Sequence, residues 1–272
     1  RKGERFMAGA RRGNESSESE GYVGPSCNLS EECAVPRQGR DPRIRLAGMS
    51  WYEHGVVRQQ WVLMLLIGVM CAIFAVEFVV NPMITNPFMA VPNEVTDSWE
   101  SVRNGSGELS DYATFGTLLS CAFLHADASH LVFNMLFLWL FAALVVELLG
   151  SVWMLVIFVV TAVAGSLCHV LFNPYEPNPM VGASGAVMGF EGAYLAMAVR
   201  WKLPEPHIFP IARPIPPANL VALAVIGVGM DWSAIMSHSE SNVAYGAHLG
   251  GFISGLFLTS FLARKPRLAQ VR

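Results

Sequence analysis

Two short stretches hold the residues most able to do chemistry, a serine and a histidine that each sit on a stripe of glycines. In Val181-Gly182-Ala183-Ser184-Gly185-Ala186-Val187-Met188-Gly189-Phe190-Glu191-Gly192, the glycines at 182, 185, 189 and 192 share one face of a helix expected from Gly182 to Val199. A glycine face admits another backbone at close range, which is how helices pack in lipid, where no hydrophobic force drives them together. Ser184 falls in the first turn of this helix, after the loop Asn173–Pro179. Its hydroxyl therefore lies beside backbone N–H groups with no intrahelical partner, donors suited to a developing oxyanion. Alone, the stretch reads equally well as a small-residue packing motif in a transporter.

A second stretch shifts that balance. Tyr245-Gly246-Ala247-His248-Leu249-Gly250-Gly251-Phe252-Ile253-Ser254-Gly255 places His248, Gly251 and Gly255 at i, i+3 and i+7, on one face. If the two glycine faces meet, His248 is carried towards Ser184 as a general base beside a nucleophile. A lone intramembrane histidine can also be a hydrogen-bonded packing residue or a haem or metal ligand. Ionisable groups are costly in lipid, however, which favours a functional role. A third constellation, His125, His130 and Asn134, supplies donors: His130 and Asn134 stand at i and i+4 and can point at one negative oxygen. Reading His125, His130 and His248 as metal ligands is the rival. It lacks the carboxylate, Cys or His-x-x-x-His pair that completes such sites, so no metal is expected. Cys27 and Cys33 lack a second ligand pair, and the five scattered cysteines form no disulfide framework.

The elements that must position these residues are apolar helices. The chain has 272 residues, of which 53% are apolar and 14% charged, with a mean hydropathy of +0.42. Charged residues run near about a quarter in soluble domains, so this composition belongs in a bilayer and offers nothing to nucleic acid. Residues 1–57 are polar and poor in core formers, and are expected to be a disordered cytoplasmic segment. The membrane domain follows over 58–264, and 265–272 form a short basic tail. Apolar runs at 61–80, 130–148, 152–172, 182–199, 219–236 and 243–263 read as six spans. Asp127 and Ser129 are suitable N-caps for the second, and Glu147 lies near its far end. Between the first two spans, residues 81–111 carry five acids and one base and continue into the half-apolar 112–124, a structured extramembrane loop. With six spans, 17 of the 18 Lys and Arg residues fall on one side, Arg103 being the exception. Both termini are then cytoplasmic, and Ser184 lies just below the outer surface.

The set His-x(4)-His-x(3)-Asn, Gly-Ala-Ser-Gly-Ala-x-x-Gly and Ala-His-Leu-Gly-Gly-x-x-x-Gly, in that order at helix ends, resembles the rhomboid intramembrane serine proteases over roughly residues 61 to 263. The resemblance implies an all-α, six-span bundle with a structured first outer loop, in a prokaryotic inner membrane. It implies Ser184 as nucleophile and His248 as general base, with no third acidic member. His130, Asn134 and the Ser184 N–H would form the oxyanion hole, His125 would order a loop, and Glu147 matches an acid at the inner end of its span. Gly182, Gly185, Gly189, Gly251 and Gly255 would pack the helices. The implied partners are single-span membrane proteins, cut near the outer ends of their helices, with no cofactor. Three positions depart from the family: Gly116-Thr117 stands where a Trp-Arg pair is common, Met188 where an aromatic can stack on the histidine, and Glu191 where an apolar residue is expected. The competing functions are a non-catalytic rhomboid-like trafficking factor and a transporter. Clustering of the polar residues near one surface disfavours transport, whose sites lie near the midplane.

Overall fold

The computed structural model describes residues 42–80, 82–203, 215–237, 243–266 and 270–271, and the described residues from Leu46 onward belong to one compact unit. Helix α1 spans Pro42–Val79, so residues 42–57 are helical where a disordered segment was expected. Pro42 suits a first helical position, and no further proline follows before Pro82, so nothing in the backbone chemistry stops the helix earlier. Residues 1–41, with Cys27 and Cys33, lie outside the described residues.

The stretch after α1 carries its own structure: a 3-10 helix (Pro82–Phe88), α2 (Pro92–Arg103) and α3 (Leu109–Ser120). The Thr85 hydroxyl donates to the Glu77 carboxylate at the end of α1, giving that buried acid a partner. Ala90, Val95, Leu118 and Cys121 pack with Val170 and Met180 into a small apolar cluster. That cluster ties the stretch to Val170 and to the segment preceding Ser184.

Helix α4 (Ala128–Leu149) starts at Asp127, whose carboxylate accepts from the His130 N–H at 2.9 Å. A turn at Gly150, with φ of +94°, leads directly into α5 (Ser151–Phe172). Helices α6 (Ser184–Arg200), α7 (Pro217–Met236) and α8 (Tyr245–Leu262) complete the bundle. The core lies between α4, α5 and α6, where Leu138, Leu144, Ile157, Phe190 and Met197 are fully buried. The outer faces of α1 and α7 expose Leu65, Phe78, Val225 and Met230, as helices bathed in hydrocarbon do.

Among the described residues, four helical segments are long and apolar enough to cross a membrane: Gln60–Val79, Ala128–Leu149, Ser151–Phe172 and Ala218–Met236. Helices α6 and α8 occupy the places expected for the fourth and sixth spans. At 17 and 18 residues, with many positions given to glycine and polar side chains, they carry a weaker membrane signature. Near the tail, β1 (Trp201–Lys202) pairs antiparallel with β2 (Gln270–Val271). Arg213 lies outside the described residues.

Candidate active site

The site is built where α6 meets α8, the most extensive helix contact in the bundle. A Cβ placed on Gly251 would come within 1.9 Å of the Gly185 carbonyl oxygen, and one on Gly255 within 2.0 Å of the Gly189 oxygen. The two backbones thus lie against each other with no room for any side chain. Gly189 also faces Thr161 of α5, and Gly192 faces the Phe252 carbonyl.

Gly182 does not belong to this face. The helix begins at Ser184, and Gly182 sits in the preceding loop with φ of +124°, a conformation that disfavours other residues. A Cβ there would fall 2.6 Å from Cε1 of His130, so the position serves close approach to that ring. Hydrogen bonds hold the loop from two sides: the Gly182 N–H donates to the Cys121 carbonyl at 2.9 Å and the Met180 N–H to the Ala90 carbonyl at 2.8 Å.

With its N–H at the first helical position, Ser184 has a backbone donor free of intrahelical pairing. Its Oγ lies 2.9 Å from Nε2 of His248, across the glycine contact. The opposite ring nitrogen of His248, Nδ1, lies 3.3 Å from Oδ1 of Asp231 on α7. The family resemblance implies no third acid, and the structure supplies one. The Tyr245 ring meets His248 edge-on at 6.4 Å, so an aromatic neighbour comes from α8 itself. Met188, the family's aromatic position, instead lies near Gly227 of α7.

The donor group lies on α4. His130 is half-buried beside Gly182, and Asn134 is buried one turn further along, its Nδ2 donating to the His130 carbonyl at 2.8 Å. One amide hydrogen is so engaged and the other is left over. His125 is buried, its ring edge-on to His130 at 5.4 Å. Burial, then the nearby His130, lower its pKa to about 4, so it is a neutral part of the turn. Asp127 is held below the ordinary carboxylate range, chiefly by the Ser129 hydroxyl and then by the His130 N–H. Glu147 is half-buried near the far end of α4, away from this group. Glu191 is buried, within electrostatic reach of Asp231.

Asp231 is the residue missed in reading the sequence. Its signal was present, since an acid inside an apolar run is a functional candidate by default. Spacing could not show that it faces His248, because the two side chains stand on different helices and the rotation of α7 decides which neighbour the acid meets.

Apolar helices packed through their backbones, with a serine hydroxyl hydrogen-bonded to a histidine at one end, define a helical integral membrane protein carrying a serine–histidine pair. Residues 112–265 match the Rhomboid domain family, and the chain belongs to that family. It is 33% identical over 145 residues to Rhomboid protease GluP of Bacillus subtilis, covering 53% of this chain and 25% of that protein. It is 27% identical over 155 residues to RHOMBOID-like protein 5 of Arabidopsis thaliana, covering 57% of this chain and 46% of that one. It is 28% identical over 164 residues to Rhomboid protein 1, mitochondrial, of Saccharomyces cerevisiae, covering 57% and 44%. The chain therefore spans less than half the length of each of these three relatives.

Proposed function

We propose that this protein is an intramembrane serine endopeptidase that cleaves single-span membrane proteins near the outer ends of their helices. The observation that carries the reading is the 2.9 Å contact between Ser184 Oγ and His248 Nε2, joining residues from two helices whose glycine faces allow no other spacing. Family membership supports the same reading. In this mechanism, His248 takes the Ser184 proton as Oγ bonds to the scissile carbonyl carbon. The Ser184 N–H, His130 and Asn134 donate to the resulting oxyanion. The proton passes to the leaving amine as the C–N bond breaks, and water repeats the sequence on the acyl-enzyme.

A substrate helix has every peptide bond engaged, so it must unwind locally before attack, which favours segments with small or helix-breaking residues. Both termini are assigned to the cytoplasm on the distribution of Lys and Arg, with α6 and α8 as the fourth and sixth spans of an inner-membrane protein. The test is an activity-based fluorophosphonate applied to detergent-solubilised protein, followed by peptide mapping. Label on Ser184, absent from His248→Ala, is the expected result. Folded protein that takes no label would mark a non-catalytic family member.

A further inference from the structure

We propose that Asp231 is a positioning residue for His248, so that this protein works with a Ser184–His248–Asp231 relay assembled from α6, α8 and α7. The proposal rests on the hydrolytic reading above and specifies how its base is held.

The geometry is that of a carboxylate opposite a nucleophile across one imidazole. Ser184 Oγ lies 2.9 Å from Nε2, and Asp231 Oδ1 lies 3.3 Å from Nδ1. The acid and the histidine side chains are 11% and 19% exposed, so neither is a solvated surface group whose pairing would be incidental. A carboxylate in an apolar helix needs a partner. Among the described residues the ion pair formed by Asp231 is with His248, and no Lys or Arg takes that place. Its acidic neighbour Glu191 carries no positive charge in either protonation state and cannot compensate it.

A carboxylate only accepts hydrogen bonds, so Asp231 selects the tautomer that carries its hydrogen on Nδ1. Nε2 is then left with a lone pair aimed at the Ser184 hydroxyl. In the opposite tautomer Nε2 carries the hydrogen and cannot accept the serine proton. When Oγ attacks, that proton moves to Nε2 and the ring becomes an imidazolium. Asp231 stays ionised and stabilises the ring through the Nδ1–H bond, until the proton leaves with the amine. The 3.3 Å distance is long for such a bond and suits a contact that tightens as the ring gains charge.

The test compares Asp231→Asn, Asp231→Glu, Ser184→Ala, His248→Ala and wild type, purified in detergent with matched thermal unfolding. The readouts are cleavage of a model single-span substrate and the rate of fluorophosphonate labelling. Asn keeps the size of the side chain but can donate to Nδ1 and hold the wrong tautomer. For Asp231→Asn, kcat is expected to fall about 10- to 100-fold, the range of a charge-assisted hydrogen bond. KM should stay within about twofold of wild type, and labelling should slow in step with kcat, because it needs the same proton transfer without substrate docking. Asp231→Glu, which restores the carboxylate, should recover part of the loss. Wild-type kcat and labelling in Asp231→Asn, or a raised KM with kcat intact, would overturn the proposal. If Asp231→Asn does not fold, Asp231→Glu decides: activity at the level of Ser184→Ala in a folded Glu variant would overturn the relay. The two dyad variants separate the levels of the argument. If they cleave normally, the hydrolytic reading itself falls; if they are inactive while Asp231→Asn is unimpaired, only the relay falls.

Discussion

Asn134 and His125 show how differently two polar side chains flanking His130 can serve. Asn134 has one amide hydrogen on the His130 carbonyl and another available, in a helix whose first turn approaches the loop before Ser184. Losing one oxyanion donor costs roughly 100- to 1,000-fold in turnover where others do not compensate. For Asn134→Ala we expect kcat to fall within that range with KM nearly unchanged, since the donor matters once the carbonyl becomes an oxyanion. A raised KM with kcat intact would mark Asn134 as a docking contact. His125, by contrast, is a buried neutral ring. With its pKa lowered from 6.5 to about 4, the folded protein binds fewer protons there than the unfolded chain between those values. The stabilising contribution is thus full above pH 6.5 and lost as pH falls towards 4, on the order of 3 kcal/mol if the histidine titrates freely when unfolded. Thermal melts from pH 7 to 4 should show a steeper fall for wild type than for His125→Gln; parallel curves would refute it. The contact between Ser184 and His248 was legible because their glycine stripes announce the helix packing that joins them. Asp231 was not legible, because its partner depends on the rotation of α7 about its own axis, which no periodicity in an all-apolar helix reveals.

The α6–α8 contact has the least tolerance of any in the bundle. At Gly251 and Gly255 an added methyl would sit 1.9 and 2.0 Å from carbonyl oxygens, and backbone cannot move aside as a side chain tip can. Gly251→Ala should separate the helices near the Ser184–His248 contact, and a shift on the order of 1 Å can cost about a hundredfold in rate. Gly255→Ala should lower thermal stability by about 1–3 kcal/mol, the usual cost of forcing a methyl into a packed contact. Gly229 of α7 has nothing within 4 Å of its Cβ position, so Gly229→Ala should leave activity and melting unchanged or raise stability slightly, by up to about 1 kcal/mol. Equal effects at all three positions would contradict the packing assigned to α8. Four of the spans announced themselves as long apolar runs, whereas the start of α6 was misjudged by two residues. A Gly-Ala-Ser-Gly string is equally compatible with a loop and a helix, and only the bonds from Gly182 to Cys121 and from Met180 to Ala90 fix where the loop ends.

Charge distribution governs how the assembled protein sits in a bilayer, and it makes a prediction independent of the chemistry. Tyr175, in the exposed loop before Ser184, should face outside, and Lys265, after α8, should face the cytoplasm. In a cysteine-free background, Tyr175→Cys should react with an impermeant maleimide on intact cells and Lys265→Cys only after permeabilisation. The reverse pattern would invert the topology and move the site to the inner face. The composition revealed the membrane at once, yet the helical extent of α1 and the pairing of β1 with β2 escaped it, since both involve residues whose polarity resembles that of a loop. The contact between Ser184 and His248 spans 64 residues of sequence, and the histidine belongs to α8, two helices after the serine's α6. During synthesis the serine therefore enters the membrane long before its base. A ribosome must finish α8 before the Ser184 hydroxyl meets the imidazole, so on the proposed function a half-made chain holds the serine without its base, and the order of the helices acts as a safety catch.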